Sequence, residues 1–241
     1  MNAPPGIVLE GQHRIDGKLL FDAELQLPDG QWTCLLGRSG AGKSTILRLM
    51  LGLETGGEFS GTFYATDQAP LEGRISYMAQ SDLLLPWLSV IENVCIGARL
   101  RGDDLNAERA TELLKRVGLS DYADQKPSSL SGGMRQRAAL ARTLFEDRPI
   151  VFLDEPFSAL DAGTRADMQE LASEVLANRT VLLVTHDPAE AARFAHQITV
   201  ISERALHNWP VPTTPTLRGI NDPATLSCQA MLLDHLRAVT P

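Results

Sequence analysis

The chain has 241 residues, of which 44% are hydrophobic and 5% aromatic, enough for one globular domain with a buried core. Its formal net charge of −8 argues against a broad basic surface for nucleic acid. Three scattered cysteines lack metal-ligand spacing and are expected to be reduced thiols. The N-terminus lacks the features of a signal peptide, and no apolar run approaches the ~20 residues that cross a bilayer. We therefore expect a soluble intracellular protein.

Short apolar stretches alternate with stretches of helical periodicity along the chain. The predicted strands are 7–9, 19–27, 32–36, 61–64, 74–78, 150–153 and 181–184, and the predicted helices are 43–53, 107–117, 134–145, 165–177 and 224–239. Asp187 is predicted to cap a further helix, with Pro188 in its first position and Glu190 as the capping glutamate. From Asn208 the prolines of WPVPTTP are typical of a linker or tail. Continuous apolar strands between helices predict an α/β fold with a parallel sheet covered on both faces.

The sequence GRSGAGKS at 37–44 follows a predicted strand and opens a predicted helix. This pattern and context are typical of a loop whose backbone N–H groups surround phosphate oxygens. Lys43 is expected to contact the β- and γ-phosphates, and Ser44 to offer its hydroxyl to Mg²⁺. The residues predicted to bind the phosphates are Gly37, Arg38, Ser39, Gly40, Ala41, Gly42, Lys43, Ser44 and Thr45.

Polar residues follow three other predicted strands. Asp154 closes an apolar strand and is predicted to hold the metal, while Glu155 comes next and is expected to polarise a water aimed at the γ-phosphate. His186 ends another strand and is expected to contact the γ-phosphate; Gln80 is a candidate for both Mg²⁺ and the attacking water. Taken singly, these residues are equally compatible with a solvated strand end, a structural histidine and a loop glutamine.

A second possible anion site lies in LSGGMRQR at 130–137, where Ser131, Gly132 and Gly133 precede a predicted helix. Backbone amides at a helix start, with no side chain in the way, can bind an anion. The alternative is that these residues only cap the helix.

Together these motifs, in this order, make the chain resemble the nucleotide-binding subunit of an ABC transporter over about residues 5–205. The resemblance implies a P-loop NTPase of the ABC ATPase type, with a mainly parallel sheet core, a small antiparallel β subdomain and a helical subdomain at about 83–144. The ATPase domain is expected at 1–207, with a Pro-rich linker and short tail at 208–241. ATP and Mg²⁺ are the implied cofactors.

The resemblance also implies roles for single residues. Glu155 would be the catalytic base, His186 would contact the γ-phosphate, and Asp161 would lie at the contact between two subunits. Ser131, Gly132 and Gly133 would bind the ATP held by a second, head-to-tail copy. One departure concerns the base: the aromatic that many relatives stack on adenine corresponds here to Ile15, with His13 nearby, so we expect loose base selectivity.

The expected role is the motor of an importer, cytoplasmic and peripheral on the inner face of the membrane. Its partners would be permease subunits docking near Leu83–Leu88, with Trp87 as an aromatic anchor, and indirectly a solute-binding protein. The same apolar segment is also compatible with plain core. No nucleic acid is expected, although a soluble ATPase acting on nucleic acid and a regulatory binding module are the alternatives. The resemblance favours a thiamine pyrimidine precursor as the transported solute, with taurine, alkanesulfonates and nitrate as the other candidates.

Overall fold

A computed structural model describes residues 4–38 and 40–238, so the predicted phosphate contact of Ser39 lies outside the described residues. The chain divides into two compact units. The first consists of the residues up to Ile75, Pro149–Asp154 and the residues from Asn178 onward. The second consists of Ser76–Arg148 and Glu155–Ala177.

The first unit contains a sheet that combines antiparallel and parallel pairing. Its strands are β1 (Ile7–Ile15), β2 (Lys18–Leu27), β3 (Trp32–Gly37), β4 (Glu58–Ala65), β6 (Ile150–Asp154), β7 (Thr180–Thr185), β8 (Gln197–Ser202) and β9 (Ala205–Trp209). They are arranged in the order β4-β1-β2-β9-β8-β3-β7-β6. β3 pairs in parallel with β7 and β8, and β6 pairs in parallel with β7, whereas β1 pairs antiparallel with β2 and β4. The parallel core and the small antiparallel part predicted from the sequence are therefore confirmed.

The parallel strands are buried along their whole length: every residue of β3, β6 and β7 is inaccessible to solvent or nearly so. This burial explains their continuous apolar sequences, because a parallel sheet is covered on both faces. The helices of the first unit are α1 (Lys43–Met50), α7 (Pro188–Phe194) and α8 (Pro223–Ala238).

The second unit is mainly helical and includes the segment predicted as a helical subdomain. Its helices are α2 (Val90–Val94), α3 (Ile96–Arg101), α4 (Ala107–Arg116), α5 (Gly132–Phe145) and α6 (Ala162–Val175). The short strand β5 (Ile75–Met78) starts at the last residue of the first unit's N-terminal stretch. Asn106 caps α4 as predicted, since its side chain accepts a hydrogen bond from the Arg109 N–H.

Several boundaries differ from the sequence prediction. β1 continues to Ile15 because its polar residues alternate with buried ones on a sheet with one exposed face. Helix α5 begins two residues earlier than expected, at Gly132, and α6 three residues earlier, at Ala162. In both helices a polar side chain just before the start, Ser131 or Asp161, accepts a backbone N–H and so allows the first turn to form there.

The expected role of Glu190 as a capping glutamate is wrong. Asp187 does cap α7, accepting from the Ala189 N–H at 2.8 Å, and Pro188 is in its first turn. The Glu190 carboxylate instead accepts the Thr185 hydroxyl at 2.5 Å, and the Asp187 N–H donates to that same hydroxyl oxygen. Thr185, the last residue of β7, thus binds the Glu190 carboxylate that the capping motif would have used.

Residues 208–238 belong to the first unit. Asn208 and Trp209 belong to β9, so the linker boundary expected at 208 falls inside a strand. Further on, Arg218 is buried, and its guanidinium donates to four backbone carbonyls. Helix α8 buries Cys228 and Leu232, and it packs on α7.

Candidate active site

The phosphate loop connects β3 to α1 through two glycines with positive φ. Gly40 has φ 81° and Gly42 has φ 103°, in the region that residues with a Cβ rarely adopt. A side chain at Gly37 would come within 2.3 Å of Ile201 Cγ2, and one at Gly42 within 3.1 Å of the Phe21 ring. The space around Gly40 is open, with no atom within 4 Å of where a Cβ would stand. The backbone can therefore approach a ligand closely here.

Lys43, the first residue of α1, directs its ammonium group back over this loop. Its Nζ donates to the Gly37 carbonyl at 2.7 Å and to the Arg38 carbonyl at 3.0 Å, and the side chain is 8% exposed. The charge is thus held inside the turn that the glycines form. Ser44, next along α1, is exposed, and Thr45 is half-buried.

The parallel register brings Asp154 and His186 to the same edge of the sheet as this loop. Leu36, the residue before Gly37, pairs with Thr185, and Asp154 pairs with Val184. The strands β3, β6 and β7 are parallel, so their carboxyl ends lie at one edge of the sheet. Ligands of open parallel sheets bind at this edge. Asp154 is buried and His186 is exposed. Among the described residues there is no group of three or more His, Cys, Asp or Glu side chains able to hold a metal ion.

The expected adenine region shows why His13 is unsuited to stacking on a base. His13 is fully buried and stacked on Phe21, and its Nε2 lies 2.7 Å from the Thr55 hydroxyl. Burial lowers the pKa of the His13 imidazole. Ile15 is half-buried and is the last residue of β1, paired with Lys18 across the hairpin. The Thr55 contact could not be predicted from local patterns, because 42 residues separate the two partners.

In the second unit, Glu155 is held by two glutamines. Its carboxylate accepts from Gln80 Nε2 at 3.2 Å, and its backbone carbonyl accepts from Gln136 Nε2 at 3.0 Å. The Gln136 oxygen accepts in turn from the Ala159 N–H. Glu155 has φ 49°, an uncommon conformation for a residue with a side chain and one often found at functional sites. Gln136 was missed from sequence; a buried polar residue on the α5 stripe is the signal that could have found it.

The Ser-Gly-Gly segment forms the start of α5. Ser131 is its N-cap, accepting from the Met134 N–H at 3.3 Å, and Ser131 and Gly132 are exposed. The Arg135 guanidinium donates to the Leu130 carbonyl and pairs with Asp82 at 3.0 Å. These contacts fix the backbone that precedes the helix, and Gly132, the first residue of the helix, is exposed. Ser131 therefore caps the helix, which is compatible with anion binding there, and anion binding stays a prediction.

The segment Leu83–Leu88 is part core and part surface. Leu84 is buried, whereas Leu83 and Trp87 are 61% and 66% exposed. The side chain of buried Asn93 is hydrogen-bonded to the backbone of this segment: it donates to the carbonyls of residues 85, 88 and 89 and accepts from the N–H of residue 85. An exposed indole is thus carried on a loop with fixed backbone.

Comparison with known proteins identifies the family: the model of the family described as "ABC transporter" matches residues 20–158. The chain belongs to the ABC transporter family. It is 42% identical over 248 residues to the aliphatic sulfonates import ATP-binding protein SsuB 1 of Mesorhizobium japonicum, covering 96% of this chain and 92% of the relative. An uncharacterized ABC transporter ATP-binding protein of Haemophilus influenzae is 44% identical over 195 residues, 80% of each chain.

A solved structure of the same family supports the assignment. The dimeric post-hydrolysis state of the ATP-binding cassette MJ0796, bound to ADP and Pi, superposes with a TM-score of 0.72 at 29% identity. It covers 88% of this chain and 99% of the solved one. The ABC ATPase fold predicted from the sequence is confirmed, and the chain is an ATPase of this family. The structure contains no helix, within the described residues, long and apolar enough to cross a membrane.

The residues present fit a magnesium nucleotide. The nearly buried Lys43 ammonium and the open glycine turn suit phosphate oxygens. Mg²⁺ prefers oxygen ligands and binds through one or two carboxylates plus phosphates rather than a full protein cage. The Asp154 carboxylate and the Ser44 hydroxyl are such oxygen donors in the first unit.

Proposed function

We propose that this ABC-family ATPase is the motor subunit of an importer for a small organic solute, with an aliphatic sulfonate as the favoured class. The observation that carries the ATPase part is the Lys43 ammonium, enclosed in the glycine loop at the sheet edge that Asp154 and His186 share. The solute class is supported by the relatives, several of which are named as aliphatic sulfonates import proteins. A thiamine pyrimidine precursor stays a prediction without support from those names.

The roles of the site residues follow from their chemistry. Lys43 neutralises charge on the β- and γ-phosphates, Ser44 and Asp154 hold Mg²⁺, and His186 donates to the γ-phosphate. Bound Mg²⁺ supplies Lewis-acid stabilisation of the charge that develops on the phosphate oxygens. Glu155 accepts the proton of the attacking water, and the Gln80 amide, which donates to that carboxylate, keeps it oriented. Gln80 as a further metal ligand remains a prediction.

We further propose that two copies complete each reaction centre. Ser131, Gly132 and Gly133 offer the open amides of the α5 start to the ATP held by the second copy's phosphate loop. The dimeric state of the solved relative supports this arrangement, since it is a dimer of a single cassette. A closed two-fold assembly would bring each helix start to the other's loop. Hydrolysis then removes the γ-phosphate that bridges the copies.

The test is Glu155→Gln, measured as ATP hydrolysis and as oligomeric state by light scattering with ATP and Mg²⁺. We expect turnover to fall by at least ~10², the scale of an acid–base group, and an ATP-dependent dimer to accumulate. Glu170→Gln, an exposed carboxylate on α6, is the matched control and should behave as the natural protein. Near-normal hydrolysis in Glu155→Gln, or a monomer with bound ATP, would overturn these assignments.

The membrane side of the proposal rests on Trp87. An exposed aromatic on a fixed loop is suited to anchor a partner, here a permease subunit that would in turn receive solute from a solute-binding protein. Trp87→Ala should leave ATP binding unchanged and abolish solute uptake in cells. Met231→Ala, an exposed apolar residue on α8, is the control for general loss of apolar surface. Normal uptake with Trp87→Ala would refute the docking role. Uptake assays with sulfonates, nitrate and the pyrimidine precursor identify the solute.

A further inference from the structure

The last residue of β7 holds the chain on both sides of His186. Thr185 is 2% exposed and pairs with Leu36 in the sheet. Its hydroxyl accepts from the Asp187 N–H at 3.0 Å and donates to the Glu190 carboxylate at 2.5 Å. One hydroxyl therefore ties the end of the strand, the peptide after His186 and the first turn of α7 together.

The other end of this connection is equally fixed. Glu190 is 5% exposed, and the charge-assisted hydrogen bond from Thr185 stabilises its buried carboxylate. Helix α7, which carries Glu190, is held at its far end by Arg218, whose guanidinium donates to the carbonyls of Ala192 and Ala195. The Glu190 carboxylate is thus held in place by the packing of α7, and its hydrogen bond to Thr185 in turn holds the peptide after His186.

We propose that Thr185 and Glu190 are positioning residues for His186: while the sheet holds the strand before it, they fix the peptide group that follows it and so set the direction in which its exposed imidazole leaves the backbone. The inference rests on the proposed function, in which His186 meets the γ-phosphate. Neither residue touches the nucleotide in this proposal. Their importance follows from geometry, because a displacement of about 1 Å at a catalytic group can lower a rate by about 10²-fold.

The primary test compares Thr185→Val with Thr33→Val in steady-state ATP hydrolysis. Thr33 is an equally buried threonine on the neighbouring strand β3, and its hydroxyl has no hydrogen-bond partner in the described structure. We expect Thr185→Val to lower kcat by about tenfold or more with KM within about twofold, and Thr33→Val to change neither. Thr185→Ser, which keeps the hydroxyl, and Glu190→Gln, which keeps an acceptor oxygen, should each retain most of the ATPase activity of the natural protein.

A double-mutant cycle separates positioning from general damage. If Thr185 acts through His186, Thr185→Val should cause little further loss in a His186→Ala background. An equal loss in both backgrounds, or a Thr185→Val turnover within about twofold of Thr33→Val, would overturn the proposal. Thermal unfolding of each variant shows whether the fold is kept; if Val lowers the midpoint strongly, Thr185→Ala replaces it.

A second readout needs no nucleotide. The chain has five histidines, so the His186 ring resonances can be assigned by NMR from the His186→Ala spectrum. We expect one narrow set of His186 signals in the natural protein and broadened or doubled signals in Thr185→Val, with the other histidines unchanged. Unaltered His186 signals would contradict the positioning role. The two measurements also separate the catalytic role of His186 from its positioning by Thr185. Full ATP turnover by His186→Ala would refute the catalytic role. The His186 resonances in Thr185→Val would still show whether Thr185 orients the imidazole.

Discussion

Replacing Arg218 by Ala is expected to destabilise the first unit strongly. The guanidinium is 5% exposed and donates to the carbonyls of Ala192, Ala195, Pro212 and Thr214, so it joins α7 to the C-terminal segment. A buried acceptor left without its donor costs about 1–3 kcal/mol, but water and small shifts will satisfy some of the four. We therefore expect a loss of about 3–5 kcal/mol in the free energy of unfolding, the scale of a broken buried network.

The assay is thermal unfolding followed by circular dichroism. For a chain of this size about 2–4 °C is expected per kcal/mol, so the midpoint should fall by about 6–20 °C. Arg218→Lys keeps a charge but not the planar fork and should lie in between. Arg237→Ala, an exposed arginine on α8, is the control and should shift the midpoint by less than about 1 °C. A shift below about 2 °C in Arg218→Ala would show that the C-terminal segment contributes little to stability, as expected of a linker or tail, and refute the reasoning.

Three further predictions concern pH, the phosphate loop and the base. Burial lowers the pKa of the His13 imidazole, and partial desolvation followed by the Arg218 charge lowers the pKa of His196, so both bind a proton less tightly in the folded chain than in the unfolded one. Because the unfolded chain binds these protons near pH 6.5, stability should be complete above that pH and fall as the pH drops below it, measured by urea unfolding at several pH values. In a nucleotide titration, Gly42→Ala should weaken ATP binding, because its φ of 103° and the Phe21 ring at 3.1 Å both oppose a Cβ. The control Gly56→Ala has a positive φ but open space around it, and should leave ATP binding unchanged. With Ile15 in place of an aromatic, ATP and GTP should be hydrolysed at comparable rates; a preference for ATP above about tenfold, or 1.4 kcal/mol, would argue against this.

Local patterns in the sequence determined the fold class and most of the candidate site. The continuous apolar runs of β3, β6 and β7 are a direct consequence of burial on both faces of a parallel sheet. Once strands are placed, their carboxyl ends locate the phosphate loop, Asp154 and His186, because ligands gather at that edge. The phosphate loop and the Ser131 cap involve neighbours within a few residues, so their chemistry is legible without any knowledge of tertiary contacts.

Only the tertiary structure decided which polar groups are paired, and with what. No local pattern marks Arg218, yet its partners are carbonyls up to 26 residues away. Gln80 meets Glu155 across 75 residues. Glu190 does not make the cap that its local motif predicts; its carboxylate accepts from the Thr185 hydroxyl, which also takes the Asp187 N–H. A buried polar group must find a partner, but the choice of partner depends on which segments folding brings together, and that information is not local.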